Sequence, residues 1–147
     1  ALPFTVAPAE PFRIIDTLGG SGVLMTAGPL DADPSGTQPI IVVAYQLSAP
    51  IPADKLEASA EALLKQTKNL EAATIAKRER VTFAGSPGVL LTGTATDRGT
   101  EKRFAQYMAV GADGRFVRLV AIAPASAYDA VKAGIEKVAA SIAFAAK

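Results

Sequence analysis

Cysteine, histidine and tryptophan are all absent from this sequence. Without cysteine there is no disulfide, no thiol nucleophile and no thiolate metal site. Without histidine, Ser-His-Asp and Cys-His mechanisms cannot operate, and histidine-ligated zinc or iron is excluded as well. A metal would need an all-oxygen shell, and no D-x-[DN]-x-[DN]-G pattern supplies one. Lysine or paired carboxylates could still carry chemistry, but no candidate pair stands out. Glu57 and Glu61 are one helical turn apart, yet they share a solvent face with Lys65 and read as a surface pair. The chain therefore reads as non-catalytic, without cofactor or metal.

Excess charge is lacking too. Fifteen basic residues against fourteen acidic ones leave a formal net charge of +1, with no basic stripe of the kind nucleic-acid binding requires. No apolar run approaches the ~20 residues that cross a bilayer. The longest, Ile40-Ile41-Val42-Val43-Ala44-Tyr45, is the size of a strand.

What is present is half-apolar and one domain long, with 147 residues. Residues 1–11 hold Pro3, Pro8 and Pro11 and read as an extended segment over the surface, followed by a single domain over 12–147. The opening ALPFTVAPAEPF has no initiator methionine, which fits a trimmed start or a mature end left by signal-peptide removal. FRIIDT (12–17) reads as a strand, Gly19-Gly20-Ser21-Gly22 as a hairpin turn rather than an anion nest, and GVLMTA as the next strand. Residues 28–39 are dense in turn formers, so Asp31 and Asp33 belong to Asx turns rather than to a calcium site with Asp16. Ile40–Leu47 has apolar residues at both parities, as expected for a strand covered on both faces.

Asp54-Lys55-Leu56-Glu57 has capping-box spacing, and Leu56, Ala60, Leu63, Leu64 and Thr67 follow at helical intervals to about Leu70. Strands follow at Ile75–Phe83, Val89–Thr96, Lys102–Val110 and Arg115–Ala123. Gly85-Ser86-Pro87-Gly88 looks like a phosphate or acyl site. It lacks the Gly-Lys-Ser/Thr at a helix mouth and the G-x-S-x-G with a distant histidine, so it reads as a turn between strands. Ser126, with Asp129 three residues on, is the expected cap of a last helix buried along Tyr128, Val131, Ile135, Val138 and Ile142. Consecutive strands on tight turns argue for an α+β class, a central antiparallel sheet of six to seven strands covered by two helices.

The run VTFAGSPGVLLTGTAT, then KRFAQYMAVGADGRFVRLVAIAP, then a terminal helix closing on ASIAF, resembles the PsbP-like superfamily. The resemblance covers the chain from about Phe12. It implies an antiparallel sheet between helices, no cofactor, and a role in binding or assembly. Leu18-Gly19-Gly20 stands where such proteins often carry a proline-glycine-tryptophan turn, so no Ran-binding or photosystem-binding residue transfers. Together with the missing histidine and cysteine, the resemblance makes the expected function that of a non-catalytic periplasmic or secreted bacterial protein. Its expected role is to bind or help assemble another envelope protein. The alternative is a carrier of a small apolar, amphipathic or anionic ligand between sheet and helix.

Two surfaces are candidates for that binding. Arg78 and Arg80, with Arg98, Lys102 and Arg103, could form a basic patch for an acidic partner, against the plainer reading of a solvated strand edge. The second rests on register. Gly111-Ala112-Asp113-Gly114 fits a three-residue loop with a bulge, which sets Met108 against Arg118 and Phe104 against Ile122. One face then collects Phe104, Met108, Val110, Phe116, Val120 and Ile122, and the other Ala105, Tyr107, Ala109, Val117, Leu119 and Ala121. On the bulky face Gln106 and Arg118 are diagonal neighbours. A buried guanidinium needs a partner, so Arg118 meets either a carboxylate at the rim or a cleft walled by Phe104, Met108 and Ile122.

Overall fold

A computed structural model describes residues 4–10, 12–16, 22–26, 40–47, 55–65, 73–97, 100–110 and 115–144. The first strands are β1 (Phe4–Thr5), β2 (Arg13–Asp16), β3 (Gly22–Thr26) and the largely apolar β4 (Ile40–Leu47). Helix α1 (Leu56–Lys65) follows, then β5 (Thr74–Phe83), β6 (Ser86–Asp97), β7 (Thr100–Val110) and β8 (Arg115–Pro124). Helix α2 (Ala125–Ser141) and the short β9 (Ala143–Phe144) close the order. Seven strands form one antiparallel sheet in the order β2-β3-β4-β8-β7-β6-β5, and β1 pairs with β9 in a second, two-stranded sheet. The fold is α+β. It consists of two meanders joined edge to edge where β4 meets β8, with α1 connecting them.

Register decides which residues meet which helix. Met108 faces Arg118, Phe104 faces Ile122 and Val110 faces Phe116, as the three-residue loop requires, although residues 111–114 themselves lie outside the described residues. The bulky parity of β7 and β8 packs with Val89, Leu91 and Ala95 against Leu56, Ala60 and Leu64 of α1. The small parity, with Ala105, Ala109, Val117, Leu119 and Ala121, packs against Tyr128, Val131, Ile135 and Val138 of α2. Each helix presents these residues at three- and four-residue spacing, which is what makes one stripe apolar. In β4, Ile41 and Val43 point to the α2 side and are fully buried. The side chain of Val42, on which the expectation of two covered faces turns, lies outside the described residues.

Several expectations need correction. The turn after Phe83 is Ala84-Gly85, both at positive φ (56° and 76°), between the facing residues Phe83 and Ser86. It is therefore a two-residue hairpin loop, and Ser86, Pro87 and Gly88 already belong to β6. Pro87 is tolerated there because β7 joins the ladder only at Gly88, so no pairing donor is lost. Gly88 itself serves close approach, since a Cβ would come within 2.6 Å of the Met108 carbonyl oxygen.

Ser126 does not cap α2. The helix begins at Ala125 with Pro124 in the cap position (φ −53°, ψ 143°) and no side-chain cap bond. Because β8 runs through Pro124, paired with Lys102, strand passes to helix with no intervening loop in which Ser126 could act. The cap expected at Asp54 and the extension of α1 beyond Lys65 fall outside the described residues. The opening segment is anchored rather than lying on the surface throughout. Phe4 is 2% exposed and belongs to the core, and Ser141 Oγ accepts a hydrogen bond from the Ala7 amide at 2.9 Å.

Candidate functional site

The two faces of the sheet have opposite fates. On the α1 side, Phe104, Met108 and Ile122 come together with Gln106 and Arg118, as the register predicts, but they wall no opening because α1 closes over them. Gln106 and Met108 have no exposed surface and Phe104 only 1%. Gln106 Nε2 donates to the Ala60 carbonyl at 2.8 Å, and Arg118 Nε donates to Gln106 Oε1 at 2.7 Å. Arg118 Nη2 also donates to the Leu63 carbonyl at 3.3 Å. Burial pulls the guanidinium down to about 10, which still leaves it charged at neutral pH. The network ties the sheet to the backbone of α1. Among the described residues this face is packed, and the polar pair is bonded within it.

Of the five candidate basic residues, the four that are described fall on two different faces of the sheet. Arg78 and Arg80 point from the edge strand β5 toward α1, where Arg78 meets Glu61 at 3.3 Å and Arg80 meets Glu57 at 4.0 Å. Lys102 is buried on that same side, and Arg98 lies outside the described residues. Arg103 points to the opposite face. Its guanidinium sits 4.3 Å over the Tyr128 ring and donates to Asp129 at 2.9 Å. Alternation along β7 forces this split, because consecutive residues of a strand face opposite sides.

On the α2 side a cleft of about 350 Å³ opens between the helix and strands β5, β6 and β7. Its floor is Leu90, Thr92, Ala105 and Tyr107, its helical wall is Tyr128, Ile135 and Glu136, and Lys77, Glu79, Arg103 and Lys132 stand around it. The volume lies at the small end of the range for small-molecule sites. Tyr107 packs on Phe83, with ring centroids 5.4 Å apart. Burial, with Glu136 next in strength, pushes the Tyr107 hydroxyl up to about 12. Burial also raises Tyr128, opposed by Arg103. Both phenols are therefore neutral hydroxyls at any physiological pH. Lys77 pairs with Glu79 at 3.2 Å at the outer edge. Sequence reading placed Tyr128 in a buried helix stripe and Tyr107 on the small face, and singled out neither.

No family model and no curated protein matches the sequence. Solved structures do. LpqN of Mycobacterium tuberculosis, described as involved in cell envelope biogenesis, superposes with a TM-score of 0.74 at 16% identity over 97% of this chain and 83% of that one. The cyanobacterial PsbP of Synechocystis gives 0.60 at 14% identity, covering 99% of this chain and 94% of that one. A Pseudomonas aeruginosa protein of unknown function gives 0.59 at 13% identity, over 85% and 91%. The chain has a PsbP-like fold. At these identities the likeness concerns the fold alone. Among the described residues, no helix of the fold is long and apolar enough to cross a membrane.

Proposed function

We propose that this chain is a non-catalytic binding protein of the bacterial cell envelope, periplasmic or secreted, and that it binds in the cleft beneath α2. The carrying observation is Tyr128. It is 4% exposed and lines the cleft, and its hydroxyl has no hydrogen-bond partner among the described residues. Buried hydroxyls are almost always satisfied, so the partner is water or an occupant of the cleft. The envelope setting is supported by the likeness to LpqN and by a chain free of cysteine and histidine. The size of the cleft favours a carrier of a small amphipathic ligand over the assembly of another protein, and an occupant supplied as a side chain would join the two readings.

Native mass spectrometry of protein purified from its own host tests this. A bound species is expected, lost on Thr92→Phe, which fills the cleft from the sheet side. Protein that is always empty, or whose bound species survives Thr92→Phe, refutes the assignment. A larger protein retained equally by wild type and Thr92→Phe would return the function to assembly through another surface.

A further inference from the structure

The chemistry of the occupant follows from what faces the Tyr107 and Tyr128 hydroxyls, given that the cleft is the binding site. Neither hydroxyl has a hydrogen-bond partner among the described residues. Glu136 has no ion pair there either. The cations around the cleft are largely engaged elsewhere. Arg103 is held by Asp129 and the Tyr128 ring, and Lys77 is held by Glu79. Lys132 and Glu136 are both exposed, one turn apart on α2, and the longer, flexible lysine stem can carry its charge into solvent. Lys132 does not figure among the charges acting on either tyrosine, whereas Glu136 acts on both, behind Arg103 at Tyr128. Among the described residues, the acceptors left without a protein partner are thus two phenol oxygens and, at the exposed rim, the Glu136 carboxylate, beside aromatic and aliphatic walls.

From this arrangement we infer that the cleft binds a primary ammonium group carried on an apolar body. A primary ammonium has three donors and no acceptor. The two phenol oxygens and the Glu136 carboxylate offer three acceptors in one cleft, and the Tyr107 ring adds a face that attracts a cation. The apolar body then lies along Leu90, Ala105 and Ile135. An anion would meet Glu136 and two hydroxyls already under its negative field. A free amine and a lysine side chain of another protein share this chemistry.

Titration by heteronuclear NMR at neutral pH and low salt, with three matched probes, tests the inference. Phenethylammonium, phenethyl alcohol and phenylacetate have the same ring and differ in charge. Saturable shifts at Tyr107, Tyr128 and Glu136 are expected for phenethylammonium alone. Glu136→Gln and Tyr128→Phe should each weaken it roughly threefold or more. Glu61→Gln, on the other side of the sheet, should leave it unchanged. Nα-acetyl-lysinamide binding more tightly than phenethylammonium would point to a protein side chain, and the reverse order to a free amine; either supports the ammonium site. Equal or tighter binding of the alcohol or the acid at the same residues overturns the ammonium assignment while leaving the cleft as the binding site. Absence of saturable binding by all three, or binding indifferent to both substitutions, also overturns it, whatever the mass spectrum of native protein shows.

Discussion

Gln106→Leu should be among the most damaging single changes in this protein, despite matching the size of the residue and its apolar surroundings. Gln106 has no exposed surface and sits between two groups that depend on it. Its amide donates to the Ala60 carbonyl, and its oxygen accepts from Arg118 Nε at 2.7 Å. Leucine removes both bonds and leaves the guanidinium nitrogen beneath α1 without its acceptor. A bond to a charged group contributes about 1.5–3 kcal/mol and a neutral one about 0.5–1.5 kcal/mol. The Ala60 carbonyl keeps its place in the helix ladder, so the second loss is at the small end. A net cost of about 3 kcal/mol corresponds to a fall in Tm of roughly 6–12 °C for a domain of this size.

Urea denaturation followed by circular dichroism measures it, with an unchanged m-value showing that the compactness of the two states is unaffected. Adding Arg118→Met should restore part of the loss, because a buried polar pair replaced as a unit by apolar groups costs less than one partner stranded. The double variant should fall short of additivity by about 1 kcal/mol or more. A Gln106→Leu variant within about 0.5 kcal/mol of wild type, or strict additivity with Arg118→Met, would refute the view that this network fastens α1 to the sheet.

Gly88→Ala drives a methyl group toward the Met108 carbonyl oxygen, 2.6 Å from the new Cβ, with Phe83 and Ala109 also close. Overpacking of this kind costs about 1–3 kcal/mol, and an undiminished urea midpoint would show that β7 can move away. Ala84→Gly relieves a non-glycine residue at φ 56° and should be neutral or stabilising by up to about 1 kcal/mol, since the left-handed strain it removes is of that order; a clear loss would mean that the buried methyl matters more. Spectrophotometric titration should find Tyr107 ionising near pH 12 and Tyr128 above an ordinary tyrosine. Because folding raises the Tyr107 value from 10.0, its contribution to stability is complete below pH 10 and is lost as pH rises through 12. A Tyr107→Phe variant should therefore lose stability less steeply than wild type over that alkaline window, and parallel curves would contradict the burial of the hydroxyl. With no histidine or cysteine to titrate, stability between about pH 6 and 8.5 should be nearly flat, and a midpoint moving by many degrees there would reveal an ionisable group in the core.

Much of the architecture was legible because a strand announces itself twice, in its alternation and in the turn that ends it. Ile40–Leu47 was read to the residue, and the β7–β8 register followed from the length of one loop and from which residues would otherwise be mixed on a face. The boundaries that failed were those where local chemistry has two solutions. Ala84-Gly85 supplies the turn that Gly85–Gly88 was expected to supply, since the hairpin tolerates an alanine in the left-handed region beside its glycine. Pro124 takes the cap position of α2 where a serine two residues later offered a side-chain cap, because β8 runs through Pro124 and passes into the helix without a loop.

The sequence drew attention to the face that α1 covers, for an instructive reason. Gln106 and Arg118 stood out as polar residues among bulky ones, and a polar group in an apolar setting is a fair signal of function. Bulk, however, fills space. Phe104, Met108, Val120 and Ile122 pack against Leu56, Ala60 and Leu64, and the polar pair bonds to itself and to the backbone of α1. The other face is set with Ala105, Ala109 and Ala121, whose side chains end one carbon from the sheet. Over such a surface a helix such as α2 cannot fill every gap, and the gap it leaves is lined by Leu90 and Thr92 of β6. Tyr107 is the one aromatic side chain on the small parity of β7, and it lines the cleft. The signal in the sequence was thus an aromatic with a polar tip among alanines, facing a helix that brings a second tyrosine and Glu136 to the same gap. It could be read only once register had assigned β7 residues to faces, since parity alone gives the pattern no direction in space.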